Sequence, residues 1–82
     1  MSNYRNVKVD LNSIDDVKNF VNTVSKIDCD IDAMSAEKRY IVDAKSIMGM
    51  FSLDLSKPVE IGFFADEEMQ SRILKAIEPW RC

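Results

Sequence analysis

The sequence predicts a two-layer α+β domain, with helices covering one face of a mostly antiparallel sheet in the order β-α-β-β-α-β-α. Three observations predict it. Apolar residues alternate with polar ones in four short stretches, the period of half-buried strands. Between them the apolar spacing changes to three and four, and each of those stretches opens on a Ser or Asp suited to capping a helix. Finally, 82 residues suffice for one small core but not for two, so residues 1–82 form a single domain.

Val7, Val9 and Leu11 alternate with Lys8 and Asp10, which predicts a first strand over Arg5 to Leu11. Ser13 then caps a helix that runs to about Lys26. Asp16 stands at its third position, close to a capping box, and both Asp15 and Asp16 suit the positive end of the helix dipole. Val17, Phe20, Val21 and Val24 make its buried face. Cys29, Ile31 and Ala33 alternate with Asp28, Asp30 and Asp32 in a second strand with an acidic outer face. A turn at Ser35 to Lys38 leads to a third strand over Arg39 to Asp43, and the two strands pair as a hairpin.

Ser46 is the next cap. Ile47, Met48, Met50, Phe51 and Leu53 crowd a short helix, in which Gly49 lowers the intrinsic propensity by about 1 kcal/mol. Lys57-Pro58 breaks the chain before a fourth strand carrying Val59, Ile61 and Phe63. The last helix starts at Ala65 or Asp66, with Glu67 and Glu68 in its first turn. Its buried face is Met69, Ile73, Ile77 and Trp80, and Pro79 falls where it should stop. Trp80 packs on the sheet or anchors the C-terminus.

The composition excludes several function classes. Eleven Lys and Arg against fourteen Asp and Glu give a net charge of −3, which argues against binding nucleic acid or acidic membranes. The chain has no histidine. That removes Ser-His-Asp and Cys-His nucleophilic sites and every His-containing zinc site. Two cysteines, Cys29 and Cys82, cannot build a four-thiolate zinc site, and their spacing fits no C-x-x-C redox motif. No metal, no cofactor and no enzymatic activity are expected. Met1 to Asp10 does not read as a signal peptide, so the expected compartment is a reducing cytoplasm with both thiols free. The longest uncharged apolar run, Ser46 to Leu53, is far short of the roughly 18 residues of a spanning helix.

The run from Ala44 to Leu55, and above all its K-S-I-M-G-x-x-S-L core at Lys45 to Leu53, resembles the second-helix region of HPr. HPr is the histidine-containing phosphocarrier of the bacterial sugar phosphotransferase system, and the likeness is to its Gram-positive forms. The resemblance implies an open-faced β-sandwich, a four-stranded antiparallel sheet with three helices on one face. It extends from about Val7 to Trp80.

The departure is as informative as the match. The family carries G-[IL]-H-A-R-P between its first strand and first helix. The histidine accepts the phosphoryl group, and the arginine and the helix N-terminus stabilise its charge. Here that stretch is Leu11-Asn12-Ser13-Ile14-Asp15-Asp16. Alignment puts the histidine position near Ser13 and the arginine position near Asp15, so Ser13, Asp15 and Asp16 mark a degenerate phosphocarrier position. The nucleophilic nitrogen is gone, and carboxylates stand where an anion would bind. Loss of phosphocarrier activity is expected.

In Gram-positive HPr, the serine at the place of Ser46 is phosphorylated by HPr kinase/phosphorylase, and the phosphoprotein acts with a LacI-type regulator. A histidine-less relative, the catabolite-repression HPr-like protein, keeps only this serine function, and the present chain is similar to it in outline. The resemblance thus implies a regulatory protein with Ser46 as phosphorylation site and Lys45, Ile47, Met48 and Phe51 as partner contacts. The expected partners are HPr kinase/phosphorylase and a LacI-type regulator, or a phosphotransferase-system component. A phosphoserine at an N-cap would tighten the helix it starts.

A purely structural reading of the same residues stays open. Ser46 would then be a cap worth about 1 kcal/mol, with Ile47, Met50 and Phe51 as core. On that reading the chain is an HPr-fold scaffold or binding module for an unrelated partner, without phosphorylation. Asp28, Asp30 and Asp32 lack the glycine and closing Glu of a Ca²⁺ loop and read as a solvated face.

Overall fold

The alternation of Val7 and Val9 with Lys8 becomes strand β1, Asn3–Val9, in the computed structural model, which describes residues 3–37 and 40–82. Helix α1 (Ile14–Ser25) follows, then β2 (Ile31–Met34), β3 (Ile41–Asp43), α2 (Ile47–Phe51), β4 (Val59–Ala65) and α3 (Glu67–Ile77). A 3₁₀ turn at Glu78–Trp80 closes the chain's last helix, with Pro79 in it. The order is the expected β-α-β-β-α-β-α.

The strands form one antiparallel sheet in the order β1-β4-β2-β3. The β2–β3 hairpin is present, with Ala33 opposite Val42. β4 is therefore a central strand, which explains why Val59, Ile61, Phe63 and Ala65 are all buried. α1 packs against both α2 and α3, while α2 meets β3 and α3 meets β4. The core lies between the layers. Phe20 of α1, Ile61 and Phe63 of β4, and Ile73 and Ile77 of α3 are among its largest members, each 2% exposed or less. Buried at about 25 cal/mol per Å², such side chains contribute roughly 1.5–3 kcal/mol apiece.

The other sheet face is open to solvent. Tyr4 and Phe64 stand there as cross-strand partners, with ring centroids 5.0 Å apart. The ring of Tyr4 lies over Gly62, where an added Cβ would come within 3.2 Å of Tyr4 Cε1. Ile41 and Asp43 of the edge strand are exposed, as is Asp32 beside them.

Several boundaries differ from those the sequence predicts. β1 begins at Asn3, because β4 offers a partner as far as Ala65, and ends at Val9. Leu11 is buried but lies outside the ladder, since the Asp10 N–H already donates to the Trp80 carbonyl. β2 starts at Ile31, not Cys29. The Cys29 N–H donates to the Ile27 carbonyl, so the chain is still turning there. β3 is shorter than expected: Tyr40 precedes it, and Arg39, like Lys38 of the turn, lies outside the described residues. Leu53 is buried beyond the end of α2. Of the two roles expected of Trp80, it anchors the C-terminus, its carbonyl accepting from the Asp10 N–H, while its ring meets Phe20 of α1 edge-on at 5.5 Å.

Candidate functional site

The starts of α1 and α2 hold the site residues that the sequence predicts. At α1, Ser13 is exposed and its Oγ accepts a hydrogen bond from the Asp16 N–H at 3.0 Å. The Asp16 carboxylate reaches back to accept from the Asn12 N–H at 3.1 Å. This is nearly the capping box that the spacing predicts, displaced by one residue on the return bond. Asp15 is exposed and Asp16 half-buried. The first turn thus already holds two negative charges, and its donors are partly satisfied from within the chain. An anion brought here would meet carboxylates instead of a guanidinium.

At α2, Ser46 is half-buried and its Oγ accepts from the Gly49 N–H at 3.1 Å. Gly49 fits closely over it. A Cβ at that position would lie 3.3 Å from Ser46 Oγ and 3.2 Å from Val42 Cβ. The five-residue helix then sorts its side chains sharply. Met50 is fully buried, whereas Met48 is 82% exposed, Phe51 43% and Ile47 38%. Lys45 is half-buried, and its ammonium donates to the Ile27 carbonyl at 2.6 Å, tying α2 to the segment after α1. Its positive charge is therefore engaged just past the end of α1.

A cleft of about 320 Å³ lies between the start of α1 and the end of α2 with the segment that follows it. Ser13, Ile14 and Val17 line it from one side, Phe51, Leu55 and Ser56 from the other. The fold thus brings Ser13 and Phe51 to one recess. Ile14 is the residue that the sequence reading missed: it is 63% exposed although apolar. The signal was present, since Ile14 directly follows a cap and precedes two aspartates. In the first turn, an apolar side chain lies beyond the end of the core stripe begun at Val17.

Elsewhere, Asp28, Asp30, Asp32 and Asp43 line a depression beside Cys29 and Phe64. Among the described residues, no three Asp, Glu or Cys side chains converge as a metal ion would need. Cys29 and Cys82 are both free thiols. Burial, helped by nearby Asp30, pushes the Cys29 thiol up from its ordinary value near 9.0. No helix among the described residues is long and apolar enough to cross a membrane.

A comparison with curated protein sequences returns no match. Among solved structures, the crystal structure of HPr-C-His from Thermoanaerobacter tengcongensis is similar, with a TM-score of 0.67 and 27% sequence identity, over 93% of this chain and 91% of that one. The family model described as the PTS HPr component phosphorylation site matches residues 16–80. That match begins after Ser13 and Asp15 and contains the whole α2 region. With its sheet order, its three helices and its K-S-I-M-G-x-x-S-L run all falling in place, the chain belongs to the HPr family, the phosphocarrier-related proteins of the phosphotransferase system.

Proposed function

We propose that this chain is a non-catalytic, regulatory member of the HPr family, unable to carry phosphate on histidine and switched by phosphorylation of Ser46. The absence of histidine supports the first half. Ser13 does not replace it: a serine phosphate ester transfers its phosphoryl group far less readily than a phosphoramidate, and the neighbouring groups are carboxylates. The observation that carries the second half is the arrangement at α2. Ser46 stands at the helix start with Met48 82% exposed and Ile47 and Phe51 part-exposed beside it.

In the proposed reaction the Ser46 Oγ forms a bond to the γ-phosphorus of ATP, ADP leaves, and the hydroxyl proton goes to the kinase. The product oxygens can still accept from the Gly49 N–H, so the cap survives and the helix end gains charge of the favoured sign. Ile47, Met48 and Phe51 would then supply an apolar contact for the partner, and methionine adapts readily to more than one surface. The proposed partners are HPr kinase/phosphorylase and a LacI-type regulator or a phosphotransferase-system component, in a bacterial cytoplasm.

The half-buried Ser46 hydroxyl, already committed to its cap, favours a second reading, in which the chain is an unphosphorylated binding module. Incubation with a Gram-positive HPr kinase and ATP, read by intact mass, decides between them. A gain of one phosphate that Ser46→Ala abolishes is expected. No gain, beside an intact HPr that is modified, rejects the switch. Enzyme I with phosphoenolpyruvate should leave the chain unlabelled.

A further inference from the structure

The sheet face turned away from the helices carries exposed aromatic rings beside a group of carboxylates. Tyr4 and Phe64 are 49% and 67% exposed, and their rings touch at a centroid distance of 5.0 Å. Ile41, exposed, and Met34, half-buried, are cross-strand partners on the same face. Apolar side chains grouped in this way mark an interaction surface, whereas scattered ones do not.

Phe64 is also a wall of a recess of about 670 Å³. Asp28, Asp30, Asp32 and Asp43 all line that recess, and all are exposed. No Lys or Arg lines it. The Lys45 N–H donates to Asp43 Oδ1 at 2.9 Å, but its ammonium is turned to the Ile27 carbonyl. Asp32 and Asp43 are direct partners across β2 and β3, a pairing that like charges destabilise. A cation between them would relieve this repulsion. The carboxylates are spread along the recess: among the described residues, no three converge as a metal ion would need. Spread charge beside a ring suits an extended organic cation.

The guanidinium of arginine has the matching chemistry. It is planar and weakly hydrated, lies flat on aromatic rings and grips carboxylates with paired N–H groups. A lysine ammonium is a more strongly hydrated point charge. We infer that the open sheet face docks an arginine-bearing basic segment of a protein partner. One arginine stacks on Phe64, with its guanidinium among Asp30, Asp32 and Asp43. The rest of the segment covers Tyr4, Met34 and Ile41, a surface that extends beyond the recess and that a small free amine would leave in water. A second copy of this chain stacked through the same face would add its own four carboxylates to the contact. The helices lie on the other side of the sheet, so the inference does not depend on Ser46 or its phosphorylation.

The test titrates the isotope-labelled full chain, unmodified, with three synthetic peptides that share their leucines and differ only in carrying Arg, Lys or Glu at three positions. The Arg peptide should shift the amides of Asp30, Asp32, Asp43 and Phe64 and leave those of Ile14 and Phe51 in place. It should bind about three-fold or more tightly than the Lys peptide and about ten-fold or more tightly than the Glu peptide, and rising salt should weaken it. Asp32→Asn should weaken it about three-fold. Phe64→Thr should remove most of the advantage of Arg over Lys. Both side chains are exposed, Thr suits a strand, and an otherwise unchanged spectrum confirms the fold. Four results overturn the inference: an Arg peptide that binds no more tightly than the Lys peptide, shifts centred on α1 and α2, spermine binding as tightly as the Arg peptide, or dimerisation of the chain alone that shifts Tyr4 and Phe64. Ser46→Ala should leave the affinity unchanged, so this inference and the kinase reading fail separately.

Discussion

Three caps set the helix starts, and each uses one side-chain oxygen. Ser13 accepts from Asp16, Ser46 from Gly49, and Asp66 from Met69, at 2.8–3.1 Å. Replacing Ser46 by Ala should lower stability by about 1 kcal/mol, measured as a shift in the urea midpoint without a change in slope. Ser46→Asp should recover most of that loss, because its carboxylate can still accept at the helix start and carries the favoured charge. At Cys29 the prediction concerns reactivity. Its thiol donates to the Phe64 carbonyl at 3.4 Å, and burial raises its pKa. Thiol alkylation near pH 8 should therefore label exposed Cys82 before half-buried Cys29, by about ten-fold in rate or more. The folded state favours the protonated thiol. Its contribution to stability is thus intact below the ordinary value near 9.0 and lost as pH rises through the higher folded value. Cys29→Ala should remove that alkaline slope.

Among the elements, α2 is the one that does not stand alone. Five residues are too few to hold a helix in water, and Gly49 weakens this one further. It persists because its neighbours fix it: Met50 is buried in the core, Lys45 is bonded to the Ile27 carbonyl, and Gly49 leaves room for Ser46 and Val42. Lys45→Met keeps the apolar stem but removes the charge-assisted bond. It should cost about 1–2 kcal/mol and speed amide exchange in Ile47–Phe51 more than in α1 or α3. The strands tell a related story. The alternation at Val59 to Phe63 was legible because both its strand neighbours and the helix layer bury one face completely. The ends of β1 and β2 were not, because a strand ends where its partner ends. Asn3 is in the sheet only because Ala65 lies opposite it. Cys29 is outside only because a local bond to Ile27 turns the chain first.

For the whole molecule, one core cluster connects β1, β2, β4 and all three helices, and Val42 of β3 packs against it. Trp80 reports on its edge through Phe20, and the C-terminal turn is bonded to β1 by the Asp10–Trp80 and Cys82–Lys8 backbone bonds. Urea unfolding followed by Trp80 fluorescence and by backbone circular dichroism should therefore coincide in one transition, with a slope of about 1 kcal/mol per molar, typical of a small two-state domain. Separated transitions would mean that the C-terminal turn detaches before the core melts.

The sequence by itself determined the order of elements, the caps and the family, because these are written in local signals: period two, period three to four, and Ser or Asp at a helix start. It also determined that no histidine can serve and that the first turn of α1 carries two carboxylates. Only the tertiary structure decided which apolar residues of α2 face out. Met48 and Met50 are chemically identical, yet one is 82% exposed and the other fully buried. The helix is too short for a periodic stripe to define its faces, so the packing of β3 and α1 against it defines them. The same is true of the cleft. Ile14 and Phe51 lie far apart in sequence, and they share one recess only because α1 and α2 pack side by side on the sheet.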